Sequence, residues 1–251
     1  MPNIIVISGK GGTGKTTISA LITLMLASKK SGPVLSVDAD PNNNLSDALG
    51  LANTATIADI IDEVAKNPEI VPKNMGKDAF IEYKIHRDLT ESSGFDLLVM
   101  GRPEGPGCYC YINNVLRNAM DKLVKDYSFV VIDNEAGMEH FSRKTMRKCD
   151  DLLVVSDESK AGLRCARRIF DLTQELGISS KRKFLVINGL KNDQDIGSVR
   201  SELLVDEVFT VPFDKEISSA GSAGVSLSGL SSGSKALSAI KAMGERIWPM
   251  N

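Results

Sequence analysis

"NIIVISGKGGTGKTTISALI", residues 3–22, runs from an apolar tetrad through a glycine-rich turn into a helical pattern, with Ile18, Leu21, Ile22 and Met25 at i, i+3, i+4 and i+7. Gly9 to Thr16 fits the phosphate-loop pattern, and a strand before it with a helix after it is the context in which that pattern carries chemistry. Glycines 9, 11, 12 and 14 let the backbone turn, so that successive N–H groups around Thr13 and Thr17 converge on phosphate at a helix N-terminus, where the dipole favours negative charge. Lys15 is expected to reach the β and γ phosphates, and the Thr16 hydroxyl to bind Mg²⁺.

Outward from this loop, short apolar runs return at "VLSV" 34, "DLLVM" 96, "FVVI" 129, "DLLVV" 151, "FLVI" 184 and "VFTV" 208. Each is nearly continuous rather than alternating, as strands buried on both faces of a parallel sheet are. With helical patterns between them, the 251 residues read as one doubly wound α/β domain, a mainly parallel sheet of about seven strands flanked by helices. The small-residue stretch 217–236 is expected to be a mobile loop before a last helix, "ALSAIKAMGERIW", which packs on the domain. A formal net charge of −2 gives no sequence-wide basic face, so neither nucleic acid nor an anionic membrane is an expected partner. The N-terminus lacks the pattern of a secretory signal and no apolar stretch approaches the roughly 20 residues of a membrane span, so a cytoplasmic location is expected. Four cysteines in so long a chain are no disulfide framework; a special thiol here is a metal ligand or redox group.

Two further stretches belong to the nucleotide site. "FVVIDNEAG" delivers Asp133 from a buried strand to the phosphate edge as a carboxylate of the Mg²⁺ shell, followed by a flexible Gly137. "VLSVDADPNN" places Asp38 and Asp40 one residue apart; in extended chain they share a face, one steadying the Mg²⁺ shell and the other orienting or deprotonating the attacking water.

Lys10, in "KGGTGKTT", is a second lysine that a standard phosphate loop does not need. Here the chain resembles the deviant phosphate-loop ATPases, the class of the cell-division site selectors, plasmid-partition ATPases and nitrogenase iron protein. That resemblance implies that Lys10 reaches the nucleotide of a facing subunit in a homodimer that sandwiches two ATP molecules. It implies as well that Asp40 positions water in switch I, and that "DNEAGMEH" contains switch II. No guanine signature occurs, and the resemblance puts Asn188 of "VING" and Pro212 of "VPFD" beside adenine.

"GPGCYCYINN", residues 105–114, holds Cys108 and Cys110 in a Gly-rich stretch beyond the strand at 96. If the chain is extended there, the two thiols point the same way, and Cα atoms about 6.6 Å apart make a mutual disulfide a poor explanation. Two thiolates fall short of the roughly four ligands a soft divalent ion wants, and a two-fold dimer supplies the other two. The wider "MGRPEGPGCYCYINNVLR" together with "VIDNEAGMEHFSRKT" resembles the nickel-insertion ATPases that mature carbon monoxide dehydrogenase and acetyl-CoA synthase. What this implies is a dimer that carries Ni²⁺ on four interface cysteines to an apo cluster of one of those client enzymes, with Zn²⁺ as competitor. Two alternatives stand beside it: an iron-sulfur reductase of the nitrogenase iron-protein kind, whose second cysteine is lacking from "NEAGMEHFSRK", and a spatial-organiser ATPase. His140, beside Glu139, is a candidate coupler of nucleotide to metal; His86 is expected at the surface, and Cys149 and Cys165 as packed thiols.

Overall fold

A computed structural model describes residues 2–30, 32–52, 54–102, 109–135, 148–190, 199 and 202–249, with the side chains of 109, 110 and 113 left out of the description. All seven apolar runs form strands of one sheet: β1 Asn3–Gly9, β2 Val34–Ala39, β4 Phe95–Val99, β5 Phe129–Asn134, β6 Lys148–Ser156, β7 Ser179–Leu190 and β8 Glu207–Pro212. An eighth, β3 Thr90–Ser92, adds a short antiparallel edge to β4, and the order is β3-β4-β2-β5-β1-β6-β7-β8, parallel everywhere else.

The near-continuous apolar character of the strands follows from burial on both faces. Ile5 and Ile7 join one core with α1 (Lys15–Ser28), α2 (Asn44–Leu49) and the last helix; Val6, between them, joins the opposite core under α3 (Ile57–Lys66), α4 (Lys77–Arg87) and α5 (Tyr109–Leu123). Helix α6 (Lys160–Glu175) lies on this second face, against β6. Because β1 sits between β5 and β6 while its own crossover leads to β2, the chain reverses direction at β1, and the carboxyl ends of β1, β5 and β2 lie at the kind of switch point where open α/β sheets bind ligands. The phosphate-loop sequence begins there.

The stretch 217–236 is a loop only from Gly224 to Ser234, with one short 3-10 turn at Leu227–Gly229; its first residues are helical. Helix α7 spans Lys215–Ala223, capped by Asp214, whose carboxylate accepts the Glu216 N–H at 2.9 Å, and closed by Gly224 in the left-handed region at φ 63. Alanine and serine carry helix while leaving little apolar periodicity to read. The Ser231 hydroxyl and N–H then bind Glu216 at 2.6 and 3.0 Å before α8 begins at Lys235.

Helix α8 (Lys235–Ile247) packs on α1 and β8, burying Ile240, Met243 and Ile247. Its end is fastened by Asp151, fully buried in β6, which takes two Arg182 N–H bonds at 2.7 and 2.9 Å and the Trp248 indole N–H at 2.6 Å. Arg182 also reaches the Ile247 carbonyl at 2.9 Å. Asp151→Ala leaves the indole N–H and guanidinium without their acceptor, and is expected to cost about 3 kcal/mol in denaturant unfolding. A loss under about 0.5 kcal/mol, the range of an ordinary surface change, would contradict this account of the helix end.

Candidate functional site

β1 ends at Gly9 and α1 starts at Lys15, with residues 10–14 turning between them. The Lys10 carbonyl gathers the loop, accepting the Thr13 N–H at 3.4 Å, the Thr13 hydroxyl at 2.8 Å and the Lys15 ammonium at 3.4 Å. Gly14 is the N-cap at φ 88, and a Cβ there would stand 2.2 Å from Asn188 Nδ2, which donates to the Thr13 carbonyl at 2.9 Å. Gly9 lies as close to β6: its Cβ would be 2.2 Å from the Val155 carbonyl oxygen. The loop is therefore wedged between β6 and β7, while Lys10, Gly11 and Gly12 stay exposed on its outer side. No side chain caps α1 and no acidic residue sits in its first turn, so its N–H groups and dipole face an anion unopposed.

Behind the loop, Thr16 Oγ1 donates to Asp133 Oδ2 at 2.7 Å, and the Ser19 hydroxyl lies 3.0 Å from Asp133 Oδ1. Asp38 and Asp133 are register partners on β2 and β5, both almost fully buried. Burial, and then the neighbouring Asp133 carboxylate, push Asp38 up to about 7. Burial also raises Asp133, to about 6, although the Thr16 and Ser19 hydroxyls and the Lys15 charge pull against it. Hydroxyl and carboxylate oxygens grouped around Thr16, with negative charge held at a desolvation cost, fit a hard divalent cation such as Mg²⁺.

Asp38 and Asp40 do not share a strand face as the sequence suggested. β2 stops at Ala39, and Asp40 lies in the following turn, where its Oδ1 accepts the Asn42 N–H and side-chain amide at 2.9 and 2.8 Å. Asp38 is the pivot of that turn: Oδ1 accepts the Asp40 N–H at 3.0 Å and Oδ2 the Leu45 N–H at 2.9 Å. Buried backbone donors need acceptors, so Asp38 fixes where Asp40 is presented.

Thr13, Lys15 and Thr16 thus gather with Asp133 and Asn188, while Asp38 abuts Asp133 from the next strand. Thr17 is half-buried in the first turn of α1, and Pro212 ends β8 opposite Leu190, the strand end nearest Asn188. Cys108, Gly137, Glu139 and His140 lie outside the described residues. Cys110 falls in the first turn of α5, so the chain is already helical where an extended pair was expected. His86 is exposed at the end of α4. Cys149 is buried, its thiol pushed up to about 12 by burial and the nearby Asp151 and Asp150 carboxylates, and Cys165 is half-buried on α6; both are free thiols. Sequence reading missed Ser19, whose signal was its place one turn beyond Thr16, and Asn134, buried at the end of β5 with its amide 3.3 Å from the Ile7 carbonyl.

The AAA-domain family model matches residues 1–186. An uncharacterized ATP-binding protein of Methanocaldococcus jannaschii is 42% identical over 97% of this chain and 98% of its own. The carbon monoxide dehydrogenase accessory protein CooC of Rhodospirillum rubrum is 31% identical over 98% of this chain and 97% of its own. Among solved structures, the septum site-determining protein MinD of Pyrococcus horikoshii, complexed with Mg-ADP, superposes with a TM-score of 0.74 at 20% identity, covering 99% of this chain and 97% of that one.

Proposed function

This chain belongs to the AAA-domain P-loop ATPases of the MinD/ParA type, and we propose that within them it is a dimeric metallochaperone, loading Ni²⁺ into the nickel-iron-sulfur cluster of a carbon monoxide dehydrogenase or acetyl-CoA synthase. The observation that carries the reading is Cys-Tyr-Cys at 108–110, in a chain whose full-length relative is named for accessory work on carbon monoxide dehydrogenase. β4 runs parallel to β2, so the segment that follows it leaves the sheet at the edge where the phosphate loop sits.

In this reading Lys15 and the α1 N-terminus bind the β and γ phosphates, and Thr16, Asp133 and Asp38 form the surroundings of Mg²⁺. Mg²⁺ supplies neutralisation of charge on the β and γ oxygens. Asp40 orients a water for in-line attack on the γ phosphorus; the bridging oxygen leaves with its electron pair on ADP, and the water's proton passes to the carboxylate or to phosphate. Asn188 and Pro212 flank the adenine. Lys10, exposed on the outer side of the loop, reaches the facing subunit, and closure brings two copies of Cys108 and Cys110 together around the ion. Zn²⁺ competes for the same thiolates.

The spatial-organiser reading has support from MinD relatives such as that of Thermotoga maritima, 28% identical over 91% of this chain. Against it, α8 spends its apolar side chains on α1 and β8. Mixing nickel-loaded protein with nickel-free client enzyme separates the two readings. Client activity is expected to appear with ATP and to stay near background with a non-hydrolysable analogue. Equal activation by both, or none with either, would overturn the carrier role.

A further inference from the structure

Among the hydroxyl residues of helix α1, Thr16, Ser19 and Thr23 stand three and four residues apart and so stack on one side of the helix. Ser19 and Thr23 are fully buried in a helix otherwise packed through Ile18, Leu21, Ile22 and Met25. Thr23 binds the Ser36 hydroxyl of β2 at 3.0 Å and donates to the Ser19 carbonyl at 2.9 Å, which fastens helix to sheet. Ser19 is placed differently. Its hydroxyl lies 2.9 Å from the Lys15 carbonyl and 3.0 Å from Asp133 Oδ1. It has one proton to give, and the carboxylate is the stronger acceptor.

Asp133 is thereby held at both oxygens by hydroxyls one helical turn apart, Thr16 on Oδ2 at 2.7 Å and Ser19 on Oδ1. The terminal torsion of an aspartate is broad, so a carboxylate gripped at one oxygen alone swings; gripped at two, its plane is fixed. We propose that Ser19 is a positioning residue for Mg²⁺-ATP: it locks the Asp133 carboxylate so that Oδ2 keeps taking the Thr16 proton while the Thr16 oxygen turns its lone pair to the metal. This rests on the ATP and Mg²⁺ part of the proposed function and not on nickel.

The test is binding of a fluorescent ATP analogue to the full chain, titrated with Mg²⁺. Partners of metal-shell residues commonly carry 10- to 100-fold in metal affinity, so S19A is expected to raise the half-saturating Mg²⁺ concentration about tenfold, with affinity in EDTA unchanged within about twofold. S19C fills the same space with a weak donor and is expected to shift in the same direction, which keeps the test open should S19A not fold. T23V removes a hydroxyl of the same stripe away from Asp133 and is expected to stay within about twofold of the unaltered protein. Mg²⁺ dependence in S19A and S19C matching that of the unaltered chain would overturn the proposal, as would an equal shift in T23V, which would mark general loosening of α1. An unaltered chain with no Mg²⁺-dependent binding would instead overturn the nucleotide reading, and Ser19 with it.

Discussion

Lys15→Ala is expected to lower the rate of ATP turnover by about a thousandfold, the upper end of what loss of one preorganised donor costs at a developing charge. Lys15 is only 8% exposed, and its ammonium rests in the loop against the Lys10 carbonyl at 3.4 Å, a long contact that gives way readily to phosphate oxygens. A cation held out of water acts more strongly on the γ phosphoryl group than a solvated one does. Lys15→Arg is not expected to rescue, since a planar guanidinium fork does not reproduce the compact point charge of a lysine that is buried in the loop. The fold is expected to survive, because the ammonium contributes only that long contact to the loop's hydrogen bonding. Steady-state phosphate release beside a thermal melt checks both halves; turnover within tenfold of the unaltered protein would remove Lys15 from its role.

Cys110→Ser, and equally Cys108→Ser, is expected to abolish tight nickel binding, weakening it by at least about a hundredfold, while ATP binding stays intact. A four-thiolate site that loses one sulfur per chain loses two of its four ligands, since each substitution appears twice in the dimer. A serine hydroxyl is no replacement at neutral pH: it stays protonated and is a hard ligand where the ion prefers soft sulfur. Equilibrium dialysis with Ni²⁺ under reductant, with ATP binding measured on the same samples, gives the answer. Unaltered nickel affinity in either variant would remove the cysteine pair from the carrier role.

Much of this architecture was legible because burial on both faces leaves a strong mark. Every apolar run named from the sequence became a strand, and the phosphate-loop pattern fell between β1 and α1. β3 escaped because it is three residues long, "TES", and covers an edge rather than a core. α4 buries only Ile81, Lys84 and Ile85, too thin a stripe to stand out from "YKIHRDL". α3 did carry a legible start, since Thr56 and Asp59 cap each other and an apolar period follows. Within the site, residue types were readable and partnerships were not. Asp38 grips backbone N–H groups of the turn it precedes, and Ser19 meets Asp133 across 114 positions of sequence. Nothing in the sequence around Ser19 names Asp133 as its partner. The Asp151, Arg182 and Trp248 cluster joins three separate elements and is equally invisible before folding.

The central claim is that two copies of this chain complete one metal site that nucleotide governs. Its most direct measurement is the nickel bound per chain with Mg²⁺-ATP present, together with the mass of the species that holds it. One ion per two chains, in a particle of twice the 27.1 kDa of the monomer and in an all-sulfur environment by X-ray absorption, is the predicted result. One ion held by each separate chain, or an ion surrounded by nitrogen and oxygen, would contradict it.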